Sequence, residues 1–163
     1  MSKNRIITWG ILFCSVAVLL ALDLIVKNFA VLHLMDEPRR VLVSGVLGLT
    51  FVRNAGAAFG IFANFDWGRW LLIVVKIGLI LGLLWYYNRL PLEKRFWALR
   101  IPMILILAGG LGNLYDRIVL GYVRDMLEFL FFSFPIFNIA DIFVVVGCIM
   151  GAFVMVFVVK DLP

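Results

Sequence analysis

Four stretches of the chain are apolar for long enough to cross a bilayer, and the polar residues collect at their ends. They cover about residues 6–26, 68–87, 98–116 and 138–159. Each is close to the roughly 20 residues that span about 30 Å of hydrocarbon. Their backbones are expected to be helical, because a bilayer interior offers a peptide group no other hydrogen-bond partner. Aromatic residues mark the ends. Trp67 and Trp70 stand at one end of the second stretch, Trp85, Tyr86 and Tyr87 at the other, and Trp97 opens the third. Rings of this kind settle at headgroup level.

The segments between spans have their own patterns. Residues 41–51 are apolar but broken by Gly45 and Gly48 and rich in β-branched side chains. They predict short strands with a turn near Ser44-Gly45. Residues 127–134 carry four phenylalanines and predict an interfacial loop or helix at the acyl–headgroup boundary. The expected fold is a single integral membrane domain over residues 1–163. It has four transmembrane helices, a small extracytoplasmic β-element and that interfacial segment, with outer segments 27–67 and 117–137.

Composition agrees with a membrane protein. A chain of 163 residues that is 64% hydrophobic lacks the polar surface a soluble globule of this size needs. The net charge of +5 does not indicate a nucleic-acid partner, because the basic residues form no tract. Lys3 and Arg5 precede an apolar run, but residues 6–22 are too long for a signal-peptide core and no small-x-small site follows. The run is read as a helix that stays. Cys14 and Cys148 lie in apolar runs and are read as small buried hydrophobes, not as a disulfide or metal pair. His33, the only histidine, has no nucleophile nearby and is read as a loop residue.

Four spans put both termini on one side. That side holds Lys3, Arg5, Arg89, Lys94, Arg95, Arg100 and Lys160; the other holds Lys27, Arg39, Arg40, Arg53, Arg69, Arg117 and Arg124. Seven against seven decides nothing, but four positives packed into residues 89–100 favour cytoplasmic termini.

The chemistry-bearing residues gather at the opposite ends of the spans. Asp23 and Lys27 are four apart on the first helix, with the acid N-terminal to the base, the favourable order for an ion pair. Gly109, Asn113 and Arg117 are spaced by four and form one stripe of the third helix. Glycine there admits a neighbouring helix or a ligand, and Arg117 can pair with Asp116, with an opposing carboxylate or with a lipid phosphate. Asn138 suits an N-cap of the fourth helix and Asp141 its third residue, so Asp141 is either a capping acid or a reactive one. Asp125, in the loop before it, is either solvated or the second member of a convergent site. Two carboxylates held close cannot both ionise, so they share a proton and supply an acid and a base together. Lys76 lies inside the second span. It either snorkels or faces the bundle, and with no motif around it the residue is read as structural. A small proton-coupled transporter would also use buried acids, but it predicts an internal repeat that the halves do not show. A non-enzymatic scaffold would not need the polar cluster.

Five blocks in order make the chain resemble the bacterial lipoprotein signal peptidase family, signal peptidase II. They are Asp23-x-x-x-Lys27, Asn54-x-Gly56-Ala-Ala-Phe59-Gly60, Gly109-Gly-x-Gly-Asn113-Leu-x-Asp116-Arg117, Asp125, and Phe137-Asn138-x-Ala140-Asp141. The resemblance implies a catalytic pair at Asp125 and Asp141. Asn54, Gly56, Asn113, Arg117 and Asn138 then shape the substrate site, with Asp23, Lys27, Gly109 and Asp116 in support. It implies an aspartic endopeptidase without metal or cofactor. Such an enzyme cuts diacylglyceryl-modified prolipoproteins on the amino side of the lipidated cysteine, at the outer face of the inner membrane, with both termini cytoplasmic. Membrane lipids are the other expected partners and a monomer the expected state. One block departs from the family. Its usual Val-Val-Asp-Phe reads Val-Arg-Asp-Met here (123–126), so Arg124 either lowers the Asp125 pKa or faces outward.

Overall fold

The computed structural model describes residues 3–56, 65 and 67–159. Four helices alternate in direction: α1 (Lys3–Leu34), α2 (Gly68–Arg89), α3 (Trp97–Val119) and α4 (Ile139–Phe157). All four are long and apolar enough to cross a membrane. Three strands, β1 (Arg40–Val43), β2 (Leu47–Asn54) and β3 (Val123–Phe129), form an antiparallel sheet in that order at one end of the bundle.

The centre of the bundle is α3, which packs against each of the other helices. Small residues let it do so. A Cβ on Gly109 would overlap the carbonyl oxygen of Ala140 on α4, and one on Gly112 would overlap the Asp23 carboxylate on α1. Gly147 of α4 sits against the Pro102 carbonyl in the same way. Backbones this close gain dispersion contacts where lipid gives no hydrophobic drive to helix pairing. Gly109→Ala is therefore expected to destabilise the protein by about 1–3 kcal/mol, the usual effect of an added methyl group in a packed interior. Thermal unfolding in detergent measures it, and a variant as stable as the parent would show that α3 and α4 are not held together there.

The first helix is longer than its apolar run suggested. Its 32 residues extend about 48 Å at about 1.5 Å per residue, well beyond about 30 Å of hydrocarbon. The overhang supports the sheet: Ala30 and Leu34 pack with Met126 of β3, and Leu49 and Phe51 of β2 close over them. Lys27 is thus helical and not part of an outer segment. His33 belongs to the last turn, its ring 4.4 Å from that of Phe29, and is not a loop residue.

The turn expected at Ser44-Gly45 is present, with Gly45 at φ +69°, where a side chain would be strained. The second expected outer element is different. Residues 127–129 belong to β3 and complete the sheet, and residues 130–137 form no helix. The rings of Phe129, Phe131, Phe132, Phe134 and Phe137 cluster instead. Phe131, Phe132 and Phe134 remain exposed, an apolar patch beside the bundle end.

Three other expectations change. Cys14 and Cys148 are exposed on the outside of the helices, because the apolar surroundings their runs implied are lipid and not protein. Tyr87 is not an interface ring. It is buried, donates to the Thr8 carbonyl at 3.0 Å and lies under the Arg100 guanidinium. Arg100, counted above as a flanking charge, is itself buried, and its Nη2 donates to the Leu90 carbonyl at 3.0 Å. Together they close the end of the bundle opposite the sheet.

Candidate active site

The site begins with how α4 starts. Asn138 is its N-cap: the side-chain oxygen accepts from the Asp141 amide at 3.0 Å, and the Asp141 carboxylate accepts from the Asn138 amide at 3.1 Å. This reciprocal box satisfies two amides of a helix end. A third is satisfied from far away in sequence, because Asp23 of α1 accepts from the Ala140 amide at 3.0 Å. The capping reading of Asp141 is therefore correct, and it uses only part of the carboxylate. The other oxygen accepts from Asn113 Nδ2 at 2.7 Å.

Asp125 reaches the same place from the sheet. It lies on β3 and not in a loop, opposite Val52 of β2. Side chains alternate along a strand, so Asp125 faces the bundle interior while Arg124 and Met126 turn toward α1. Asn54 is its diagonal neighbour on the same face, and Asn54 Nδ2 donates to Asp125 Oδ2 at 2.9 Å. Asn138 Nδ2 donates to Asp125 Oδ1 at 2.6 Å. Asn138 thus touches both carboxylates. Burial pushes the Asp125 carboxyl up to about 6, and the charge of Asp141 adds to this against the hydrogen bonds from Asn54 and Asn138.

The amides around the pair have fixed orientations. Asn113 Oδ1 accepts from Lys27 Nζ and from Asn138 Nδ2, each at 3.0 Å, which leaves Asn113 Nδ2 for Asp141. Asn54 Oδ1 accepts from the Gly56 amide at 3.0 Å, which leaves its Nδ2 for Asp125. Arg117 Nη2 donates to the Gly56 carbonyl at 2.7 Å and so holds the turn after β2 over the site. The rest of the expected 54–60 block, Ala57, Ala58, Phe59 and Gly60, lies outside the described residues.

Behind the pair is a buried cluster of alternating charge. Lys27 Nζ is 2.8 Å from Asp23 and 3.4 Å from Asp116, and Arg124 Nη2 is 2.6 Å from Asp116. Arg124 also holds Asp116 through Nε at 3.2 Å and its own amide at 3.1 Å, and reaches Asn28 with Nη1 at 2.5 Å. Two acids and two bases sum to zero. Arg124 therefore neither faces outward nor acts on Asp125; it neutralises Asp116, a pairing that was one of three alternatives for Arg117. The described candidates from the sequence gather in this constellation. Gly109 and Gly112 contribute by allowing α4 and Asp23 to approach.

A cavity of about 530 Å³ opens in front of the two carboxylates. Asn54, Asn113, Arg117, Asp125 and Asp141 line its polar wall. Leu72 of α2, Ile142, Val145 and Val146 of α4 and the Phe134–Phe137 turn form the apolar remainder. Lys76 also lines it, one turn below Leu72. Sequence reasoning left Lys76 structural because a single lysine in an apolar helix carries no spacing signal.

These features define a class: a multi-pass membrane protein with two carboxylates converging, under asparagine donors, on a cleft partly lined by apolar side chains. The comparisons give the family. The family described as Signal peptidase (SPase) II matches residues 15–157, and the chain belongs to it and is a peptidase. It is 37% identical over 131 residues to the lipoprotein signal peptidase of Streptococcus agalactiae serotype V, covering 80% of this chain and 82% of that one. It is 36% identical over 134 residues to that of Streptococcus pneumoniae, covering 82% and 84%. The fold is also that of a bacterial membrane enzyme solved by the in meso method at 1.9 Å, with TM-score 0.77 and 24% identity over 94% of this chain and 95% of that one. These relatives lend the transporter alternative no support.

Proposed function

We propose that this peptidase removes signal peptides from diacylglyceryl-modified prolipoproteins, cutting on the amino side of the lipidated cysteine, with Asp125 and Asp141 as the catalytic pair. The observation that carries the reading is the geometry of these two acids. They come from a strand and a helix, share one cavity, and are joined by Asn138. The relatives, lipoprotein signal peptidases by name, point to the lipoprotein substrate.

Asp125 holds the shared proton and Asp141 is the base. Asp141 accepts two N–H donors at the start of α4, where the helix amides meet a negative charge. It takes a proton from a water between the acids, and the water attacks the scissile carbonyl. Asp125 donates to the developing oxyanion; Asp141 then passes the proton it took from water to the cysteine nitrogen, Asp125 takes its own proton back as the carbonyl re-forms, and the C–N bond breaks to release the amine. The acyl chains remain in lipid, and the apolar side of the cleft takes the signal peptide. Fixing both parts of the substrate positions the carbonyl. The termini are cytoplasmic, the sheet and site lie at the outer face, and one chain suffices, since a single copy carries both acids.

The test is the pH dependence of signal-peptide release from a diacylglyceryl-modified prolipoprotein by the purified protein. The active form carries one proton on the pair. The fraction holding it falls as pH rises through the Asp125 value of about 6. kcat/KM, which reports the free enzyme, is therefore expected to decline above about pH 6 by up to roughly tenfold per unit. It should also fall at acid pH, where both carboxyls are protonated. Water displaced by bound substrate raises the pair further, so the alkaline limb of kcat lies higher. A profile flat from acid to alkaline pH excludes the shared proton.

A further inference from the structure

Hydrolysis leaves an anion where the structure already holds two acids. The water oxygen bonds to the scissile carbon and the C–N bond breaks. The cysteine nitrogen departs as an amine and the signal peptide gains a C-terminal carboxyl; the proton this carboxyl loses at neutral pH goes to the amine, which leaves with the lipidated product and not with the signal peptide. In a cleft lined largely by apolar side chains, that new carboxylate is repelled by an ionised aspartate and is stabilised by a cation.

Three cations are near enough to consider. Lys27 is committed to Asp23, Asp116 and Asn113. Arg117 faces the cavity, but its Nη2 is used on the Gly56 carbonyl, and its buried Nε has no hydrogen-bond partner among the described residues. Lys76 lines the cavity from α2 and makes no hydrogen bond or ion pair with a described residue. The charges acting on its ammonium are those of Arg117, Asp141, Lys27 and Asp125. A lysine within a membrane helix carries an energetic penalty that a ligand or counter-ion in the cleft offsets.

We infer that Lys76 is the carboxylate-binding residue of the cleft. It holds the C-terminal carboxylate of the released signal peptide, with Arg117 Nε as the neighbouring donor. The inference rests on the proposed peptidase reaction for the origin of the anion. It goes beyond that reading in assigning α2 a part in binding product. A single charge with one pair is compensated before cleavage by Arg117; after cleavage a second negative charge appears, and Lys76 matches it.

The experiment is equilibrium binding of a fluorescent signal peptide made in two forms, one ending in a free carboxylate at the cleavage position and one in a carboxamide. The whole chain in detergent is used, with Lys76→Met and Lys76→Arg alongside the parent. The parent is expected to bind the acid about tenfold more tightly than the amide, a factor equivalent to about 1.4 kcal/mol. In Lys76→Met the ratio should fall below about threefold, the rest being due to Arg117, and Lys76→Arg should restore it. Equal affinity for the two forms in the parent, or an undiminished preference in Lys76→Met, overturns the assignment. Prolipoprotein cleavage by the parent is scored separately. A parent that cuts without preferring the acid loses only the Lys76 inference. A parent that prefers the acid but does not cut this substrate loses the proposed function, and with it the signal peptide as source of the anion, while Lys76 stands as a carboxylate-binding residue. Methionine removes a charge from a membrane helix, so folding is retained, and a melting curve confirms it.

Discussion

Asp125→Asn is expected to lower signal-peptide release by roughly 10²–10⁴-fold, the range in which a positioned acid or base accelerates a reaction. Asp141→Asn is expected to do the same. Asparagine has nearly the shape of aspartate and carries no proton that it can exchange, so either substitution removes the shared proton while leaving the cavity in place. The two variants should fold. At position 125 both Asn54 and Asn138 donate to the native carboxylate. An amide there leaves one donor facing another, a loss of about 1 kcal/mol, partly offset because no buried carboxyl has to ionise. At position 141 the amide can still accept one of the two native donors. The measurement is release of the signal peptide from a diacylglyceryl-modified prolipoprotein, followed on a gel, with thermal unfolding and substrate binding measured in parallel. If either variant folds, binds and cuts at near the parent rate, the catalytic pair is wrongly assigned. Asp116 is not a substitute, because Arg124 and Lys27 enclose it.

Lys27→Met is expected to be the most destructive change outside the pair. It strands the fully buried Asp23 and takes the more distant of two cations from Asp116, which Arg124 still holds. Breaking a buried ion pair by removing one partner destabilises by about 3–5 kcal/mol. A catalytic effect should follow from a different contact. Lys27 Nζ donates to Asn113 Oδ1 and so helps to point Asn113 Nδ2 at Asp141. Without it that amide is held from only one side, by Asn138. Lys27 is a positioning residue in this account: the Lys27→Met variant should lose kcat more than KM, and Lys27→Arg should not restore it, since a planar fork does not fit a site built round three short contacts. The double variant with Asp23→Asn should recover part of the stability and little of the rate, because it removes one stranded charge and leaves Asn113 as free as before. A Lys27→Met protein as stable as the parent would mean that the cluster is open to water.

What could be read from the sequence was local. The Asn138–Asp141 box and the Asp23–Lys27 pair depend on spacings of three and four, which any helix converts into contact. The spans and the Ser44-Gly45 turn follow from equally short windows. What could not be read depended on elements far apart in the chain. Asp125 looked like a loop residue because its strand pairs with residues some seventy positions earlier, and residues 123–129 show no clean alternation. Arg124 looked like a neighbour of Asp125 for the same reason; only a strand sends them to opposite faces. Asp116 was one of three partners open to Arg117, alongside an opposing carboxylate and a lipid phosphate, yet adjacent helical residues diverge by about 100° and rarely share a contact. Cys14 and Cys148 show the limit of hydropathy in a bilayer, where an apolar position faces protein or lipid with equal ease.

The Asp23–Lys27 contact also bears on how the chain reaches its membrane. The first helix is made before α3 and α4 exist, so the Asp116, Asn113 and Ala140 partners are absent when it meets lipid. Either residue alone would oppose partitioning at its depth. One turn apart, they meet lipid as an internal zwitterion with no net charge. The helix thus brings its own counter-ion during biogenesis, and later exchanges part of that bond for the helices that arrive after it.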